Sequence, residues 1–203
     1  MNIKKTANLL LNFTINRLAE ILGLTIGLAG ILLFISLISY SPDDPNFIFP
    51  ENTEIKNLLG FQGSFISDLF FQSIGLVSYI FSLTLIITGL NILRTKEFFL
   101  IVENIFFTIL YIIFASLFFA YFYSNAFTLY INGNGGFVGN YFNKTFLTSM
   151  ININENIAYY LLIILIFLLF LISINFSPKN FLMIIRKIFK IFNKDDSKNY
   201  TDK

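Results

Sequence analysis

The sequence contains no cysteine, no histidine and no tryptophan, and its 203 residues include only four prolines. Without cysteine the chain can form no disulfide, no thiolate nucleophile and no cysteine-ligated metal site. Without histidine it lacks the commonest general base and metal ligand of proteins. Charged residues make up only 13% of the chain, and a formal net charge of +2 is too small to indicate binding to nucleic acid. We therefore expect no catalytic, cofactor-binding or metal-binding residues.

Hydrophobic residues, in contrast, are abundant and clustered. They make up 56% of the chain, and the mean hydropathy is +0.72. A helix of about 20 apolar residues rises about 30 Å, which is the thickness of the hydrocarbon core of a bilayer. The sequence contains four such runs and predicts an all-α integral membrane protein. We place the spans at about 18–40, 68–93, 98–122 and 157–176, within a membrane domain that covers residues 18–176.

Lysine and arginine are distributed unevenly among the segments that connect these spans. The amino-terminal segment 1–17, the turn at 94–97 and the tail at 177–203 carry 3, 2 and 7 of the 14 basic residues. The two long loops carry one each, Lys56 and Lys144. Because basic residues are retained on the cytoplasmic side, we expect both termini to be cytoplasmic and the two long loops to lie outside.

Small residues recur along one face of the first predicted span. They are Ala19, Gly23, Gly27 and Gly30. In lipid, small side chains allow two helix backbones to approach closely, and this close contact favours association. The pattern therefore predicts a helix-packing face. It leaves open whether the partner helix belongs to the same chain or to a second copy.

The tail begins with Ser177 and Pro178, a helix cap followed by a residue suited to the first helical position. In the helix predicted after them, basic residues share one arc and large apolar residues fill the opposite arc. The basic residues are Lys179, Arg186, Lys187, Lys190 and Lys194. We expect this amphipathic helix to lie on the cytoplasmic side and to bind anionic headgroups there. The polar residues after it are typical of the start of a linker.

The first predicted span is followed by a motif that stops a helix. It consists of Ser39, Tyr40, Ser41, Pro42, Asp43, Asp44 and Pro45, followed by Asn46 and Phe47. The prolines cannot continue a helix and the carboxylates are costly in hydrocarbon, so the chain leaves the membrane here. These residues resemble the first outer loop of the membrane domain of FtsK/SpoIIIE-type DNA translocases.

The resemblance continues in order over about residues 17–192. It is carried by Asn57, Leu58, Leu59, Gly60, Gly63, Asp68, Gly75 and Tyr79, and then by Gly135, Gly136, Phe137, Val138 and Gly139. In those translocases a linker and a cytoplasmic ATPase motor follow the membrane domain. A motor needs a phosphate loop of the form G-x-x-x-x-G-K-[ST], and this sequence contains no Gly-Lys dipeptide. The resemblance implies a non-enzymatic anchor, either a piece of a longer protein or a separately encoded chain.

The resemblance also implies a location and partners. We expect a multi-pass protein of the bacterial inner membrane, located at the division septum. There it would anchor a DNA translocase that acts in cell division and chromosome segregation. The expected partners are the lipid bilayer, septum proteins, and further copies gathered by an attached or cognate motor. We expect no direct DNA binding by this chain and no cofactor.

Two other functions make different demands on the sequence. A small four-span transporter or channel subunit would place paired ionisable residues at mid-membrane. An intramembrane enzyme would need a histidine, a cysteine, paired acids or a Ser–Lys pair.

The acidic residues near the span ends suit structural roles better. We expect Glu20 to pair with Arg17, three residues before it. Asp68 would be stabilised by a helix dipole, and Glu103 would reach the basic turn at 94–97 or the membrane surface.

Overall fold

The computed structural model of the chain describes residues 3–45, 54–97, 100–124 and 132–178. Every regular element within these ranges is an α-helix. The helices are α1 (Ile3–Ile38), α2 (Gly60–Ile74), α3 (Val77–Thr95), α4 (Leu100–Phe122), α5 (Gly136–Phe142), α6 (Phe146–Ile153) and α7 (Glu155–Ser173). Four segments are long and apolar enough to cross a membrane: Leu10–Ile38, Val77–Thr95, Asn104–Phe122 and Glu155–Ser173. The prediction of an all-α membrane protein with four spans is confirmed.

Helix α1 is longer than the predicted first span and includes most of the predicted amino-terminal segment. Its 36 residues rise about 54 Å, because each helical residue adds about 1.5 Å. No proline or glycine precedes Gly23, so nothing in the sequence breaks the helix between residues 3 and 17. The helix ends at Ile38, because Pro42 has no N–H group to donate to the carbonyl of Ile38.

The predicted second span, 68–93, is wrong in its first part, because the chain forms two helices there. Helices α2 and α3 are separated by Gly75 and Leu76. Gly75 has φ +63° and ψ −142°, a conformation that residues with a side chain rarely adopt. The N–H of Leu76 donates to the carbonyl of Asn134, 2.9 Å away, and does not continue the helix. The membrane span is therefore α3, and Asp68 belongs to α2.

Helices α1 and α3 are antiparallel and contact each other at both ends. At one end the Tyr79 hydroxyl donates to the carbonyl of Leu37, 3.2 Å away. At the other end Lys96 Nζ lies 2.9 Å from a carboxylate oxygen of Glu20. We call the first end the motif end, because the motif at 39–45 leaves α1 there. We call the second the turn end, because α3 ends there.

The second half of the bundle is built from α4 and α7, and the short helices α5 and α6 lie at the motif end. Val77, Tyr111, Ala115 and Leu169 form a buried cluster that joins α3, α4 and α7. Within it the Tyr111 hydroxyl lies 2.8 Å from that of Thr84, so the buried phenol has a hydrogen-bond partner. The long α4 falls within the predicted third span, 98–122.

Helix α7 covers most of the predicted fourth span, 157–176. It begins after Asn154, whose side chain accepts a hydrogen bond from the N–H of Ile157 at 3.1 Å. Of its 19 residues, the buried ones are Leu162, Leu169 and Ser173. The others are exposed or half-buried and almost entirely apolar, so in a membrane the exposed side of this helix faces lipid.

Candidate functional site

The motif at 39–45 forms a turn that connects α1 to the segment before α2. Asp44 is only 1% exposed. Its Oδ1 accepts a hydrogen bond from the backbone N–H of Lys56 at 2.8 Å, and its Oδ2 accepts one from that of Asn57 at 2.9 Å. The N–H of Asp44 donates to the carbonyl of Ser41 at 3.2 Å, which closes the turn. Both carboxylate oxygens are thus occupied by backbone groups, and Asp44 fixes the path of the chain.

Asn57 extends this connection to the last turn of α1. Its Nδ2 donates to the carbonyl of Ser36 at 2.9 Å, and its Oδ1 accepts from the N–H of Leu59 at 3.1 Å. The hydroxyl of Ser39 accepts from the N–H of Leu58 at 3.1 Å. These bonds serve a carbonyl at the end of α1 and two N–H groups just before α2. Such groups have no partners within their own helices, so the connection satisfies both helix ends together.

Helix α2 packs closely on α1 through Gly63. The hydroxyl of Ser36 donates to the carbonyl of Gly63, 2.6 Å away, in a buried position. A side chain at Gly63 would collide with Oδ1 of Asn57, and its Cβ would lie 2.6 Å from the Cβ of Leu59. Asn57, Leu59 and Gly63 all carry the family resemblance. Asn57 and Gly63 bond to Ser36 of α1, and the N–H of Leu59 donates to Asn57.

Tyr40 connects the motif to the middle of α2. Its hydroxyl donates to Oδ1 of Asp68 at 3.1 Å, and its ring lies 4.8 Å from that of Phe71. Burial, with the nearby Asp68 carboxylate as a further cause, raises the pKa of Tyr40 well above its usual range. The expectation that a helix dipole stabilises Asp68 is wrong. Asp68 lies beyond the first turn of α2, and its partner is the Tyr40 hydroxyl.

The other motif residues differ in exposure. Pro42 and Asp43 are exposed. Oδ2 of Asp43 lies 3.3 Å from Nζ of Lys56, and both side chains of this pair are exposed. Pro45 is buried, and its carbonyl accepts from the Ser64 hydroxyl at 3.0 Å. The motif therefore exposes one carboxylate and buries the other.

The predicted packing face of α1 lies against α3 of the same chain. Its members Ala19, Gly23 and Gly30 are buried, and Gly27 is half-buried. A Cβ atom at Gly23 would lie 2.9 Å from the carbonyl oxygen of Gly89, and one at Gly30 would lie 2.8 Å from the nitrogen of Ile86. A Cβ at Gly89 would lie 2.5 Å from the nitrogen of Gly27. The two backbones are in direct contact, so α3 occupies this face within the chain.

The second glycine-rich block joins the two halves of the bundle. A side chain at Gly75 would collide with the carbonyl of Asn134, and a Cβ at Gly136 would lie 2.5 Å from the nitrogen of Gly75. Side chains at Gly135 or Gly139 would collide with the carbonyl of Ser116 in α4. These glycines therefore allow α5 and the residue before it to fit between the start of α3 and α4.

At the turn end, Glu20 pairs with two basic residues. Its Oε2 lies 2.5 Å from Arg17 Nη1, and its Oε1 lies 2.9 Å from Lys96 Nζ. The pairing with Arg17 agrees with the prediction. The sequence assigned the partner in the turn to Glu103, whose side chain lies outside what the structure describes, whereas Lys96 pairs with Glu20. The ion pair between Glu20 and Lys96 thus connects α1 to the end of α3, whereas the pair between Arg17 and Glu20 lies within α1.

A polar cluster inside the bundle was not predicted. Asn104 in α4 donates through Nδ2 to Oγ1 of Thr88 at 3.5 Å and accepts at Oδ1 from Nδ2 of Asn175 at 2.6 Å. Nearby, Nδ2 of Asn91 donates to the carbonyl of Ile174 at 2.7 Å. The cluster connects the end of α7 to α3 and α4. Its signal in the sequence was asparagine within otherwise apolar spans, since an amide in hydrocarbon needs a hydrogen-bond partner.

The chemistry of these groups is structural. Among the residues that the structure describes, no three acidic side chains lie together where they could hold a metal ion. The carboxylates of Asp44 and Asp68 accept hydrogen bonds, and that of Glu20 is paired with bases. The predicted basic face of the tail lies outside the described residues. Its members are Lys179, Arg186, Lys187, Lys190 and Lys194.

Comparison with known proteins gives matches to one family. The family model for the 4TM region of DNA translocase FtsK/SpoIIIE matches residues 16–187. Similar curated proteins are the DNA translocase FtsK of Azospirillum brasilense, 31% identical over 87 residues, and that of Rickettsia bellii, 32% identical over 78 residues. These matches cover 42% and 38% of this chain but only 14% and 10% of the two relatives. No solved structure matches the chain.

Proposed function

Because the chain belongs to the family of the 4TM region of DNA translocase FtsK/SpoIIIE, we propose that it is the membrane anchor of a DNA translocase. The observation that carries the proposal is the family match, which extends over residues 16–187 and reaches all four spans. In support, the residues that carry the resemblance are the ones that connect the helices at the motif end. They belong to the scaffold of the bundle, where Asp44 and Asp68 accept hydrogen bonds and Asp43 pairs with Lys56.

We propose that this chain has no motor activity of its own. The chain matches only a small part of its relatives, 14% of the Azospirillum protein and 10% of that from Rickettsia bellii. The sequence lacks a Gly-Lys dipeptide and therefore a phosphate loop of the usual form. The purified chain in vesicles, mixed with ATP, Mg²⁺ and duplex DNA, should release no phosphate above a protein-free control. Stimulation of hydrolysis by DNA would contradict the proposal.

We propose an orientation with both termini in the cytoplasm and the motif end outside. The basis is the distribution of lysine and arginine, because 12 of the 14 lie in segments assigned to one side. The chain naturally lacks cysteine, so single cysteines report on it without background. An impermeant thiol reagent on intact spheroplasts should label Asn52→Cys and Asn140→Cys but not Lys96→Cys or Lys198→Cys. The opposite pattern would overturn the orientation.

We propose that the basic face of the tail holds residues 179–194 on the anionic inner leaflet. Each basic residue near such a surface contributes about 1 kcal/mol. An environment-sensitive dye on Phe189→Cys should therefore report an apolar surrounding when the full chain is placed in anionic vesicles. Replacing Arg186, Lys187 and Lys190 with Glu should shift the dye emission towards its value in water. An unchanged emission would show that electrostatic attraction does not hold the tail.

We propose that the anchor brings its motor to the division septum of the inner membrane. Septum proteins, and further copies assembled through the attached or cognate motor, would be its partners. The small-residue face is occupied by α3, so contact between copies would use other surfaces. A fluorescent fusion of residues 1–203 should form a band at the division site of dividing cells, with an unrelated four-span protein as control. An even distribution, like that of the control, would contradict septal targeting.

A further inference from the structure

An open groove lies beside α1 at the motif end, where α2 crosses it. Its walls include Ala29, Leu32 and Ser36 of α1 and Gln62, Ile66 and Phe70 of α2. The volume is about 460 Å³, within the usual range for sites that hold a small molecule. The walls are apolar except near Ser36 and Gln62.

The groove has the depth of one membrane leaflet. Ser36 and Ala29 precede the end of α1 by two and nine residues. At about 1.5 Å per residue, the groove extends from about 3 Å to about 14 Å below that end. Half of the hydrocarbon core is about 15 Å thick. The groove therefore runs through the hydrocarbon of the leaflet at the motif end, from its surface to near the bilayer centre.

The groove opens on the surface that faces lipid. Leu32 and Ile66, on its two walls, are 52% and 40% exposed, and no other helix of the described residues covers them. Water does not stably fill an apolar cavity, and empty walls would lose their van der Waals contacts. Acyl chains are the solvent at this depth and are flexible enough to follow the groove. We propose that the groove is a binding site for one acyl chain of a phospholipid from the leaflet at the motif end.

The residues at the rim of the groove predict whether the site selects among lipid headgroups. The described residues that line it include no lysine or arginine, which a site selective for anionic headgroups requires. Lys56, near the motif, already pairs with Asp43. The Ser36 hydroxyl donates to Gly63, so the exposed Gln62 amide is the donor left at the rim for an ester or phosphate oxygen. The site should therefore select for an acyl chain and be indifferent to headgroup charge.

The test uses the full chain in nanodiscs with a phospholipid that carries a diazirine in one acyl chain. After extraction into mild detergent, native mass spectrometry should find one retained phospholipid per chain, equally for zwitterionic and anionic headgroups. Ala29→Phe fills the groove and should reduce retention several-fold. The matched control, Leu28→Phe, changes an adjacent and 51% exposed residue outside the groove and should leave retention unchanged.

Further measurements distinguish the loss of lipid binding from misfolding of a variant. Ile66→Trp fills the groove from α2, and circular dichroism checks the helicity of each variant. In the wild type, photo-cross-links should be enriched at Leu32 and Ile66 over Ile164 and Leu168, which are exposed on α7. Equal labelling at all four positions would overturn the proposal, because it marks ordinary boundary lipid. So would unchanged retention in both filled variants, or a strong headgroup preference.

Discussion

Replacing Asp44 tests the structure sharply, because its neighbour Asp43 provides a matched control. Asp44 is buried and accepts the N–H groups of Lys56 and Asn57. In Asp44→Ala both N–H groups lose their acceptor. A hydrogen bond to a charged group contributes about 1.5–3 kcal/mol, so we expect this variant, which loses two of them, to lose about 3–6 kcal/mol of stability at the motif end. Asp44→Asn retains one acceptor oxygen and directs an NH₂ group at the other donor, so it should lose at least half of that.

Asp43→Asn removes the charge of the exposed pair with Lys56. Exposed ion pairs contribute about 0–1 kcal/mol, because water and salt screen them. Two adjacent and chemically identical substitutions, Asp43→Asn and Asp44→Asn, are therefore expected to differ by at least about 0.5 kcal/mol.

Hydrogen exchange at the backbone N–H groups of Lys56 and Asn57 measures this difference directly, on the full chain in nanodiscs. A change of about 1.4 kcal/mol corresponds to a tenfold change in an equilibrium constant. Asp44→Ala should accelerate exchange at these groups by about 100-fold or more, and Asp43→Asn by less than about tenfold. Equal acceleration by the two asparagine variants would refute the reasoning. So would an effect of Asp44→Ala that is as large in α7 as at Lys56.

Three further predictions concern other contacts. Gly30→Ala should lower the free energy of unfolding, measured in mixed micelles, by about 1–3 kcal/mol, because its Cβ would lie 2.8 Å from the nitrogen of Ile86. Gly27→Ala should be tolerated, since the nearest atom is 3.9 Å away, and equal costs would contradict the packing. The pKa of Tyr40 is higher in the folded state than in the unfolded state, so the folded state holds the phenol proton more tightly. The protonated phenol therefore contributes fully to the free energy of unfolding below about pH 10, and this contribution is lost as the pH rises further. Wild-type stability should therefore fall more steeply above pH 10 than that of Tyr40→Phe, and parallel curves would contradict this. Asn175 has a positive φ of +49°. Asn175→Gly should lower the free energy of unfolding by about 1 kcal/mol, because the side-chain hydrogen bond is lost. Asn175→Ala should lower it by about 1 kcal/mol more, because a residue with a Cβ atom is strained at positive φ. An alanine variant as stable as the glycine variant would show that the backbone there is unstrained.

The four spans were predictable because crossing a bilayer requires length and apolarity, and both can be counted along the chain. The break at Gly75 was not, because it depends on the carbonyl of Asn134, far along the chain. Glycine at that point is equally compatible with a continuous membrane helix. The extension of α1 to Ile3 was not predicted, because the estimate of a span counts the residues needed to cross a bilayer, and a helix can continue beyond them where no proline or glycine interrupts it.

For the candidate site too, the sequence predicted the kind of contact but not the residues that make it. A stripe of small residues identifies a contact face, but it carries no information about the partner helix, which is α3 through Gly89. The motif predicted that the chain leaves the membrane, but not that Asp44 is buried while Asp43 is exposed. That difference arises from the N–H groups of Lys56 and Asn57, which the fold brings to Asp44. Which of two adjacent residues in a turn is buried depends on tertiary contacts, and the local sequence of the loop does not predict these contacts.

The contact at Gly89 has a consequence for the genetics of this chain. The three atoms nearest to a side chain there are the nitrogen and Cα of Gly27 and the carbonyl oxygen of Gly23, all of them backbone atoms. A clash with a side chain can be relieved by a smaller residue on the opposite helix, but a backbone atom cannot be made smaller. No compensating substitution at positions 23 or 27 can therefore restore a Gly89→Leu variant. A search for second-site suppressors should recover reversion to glycine, or changes elsewhere that let the two helices separate. At this contact, α1 cannot adapt to a larger residue at position 89 of α3.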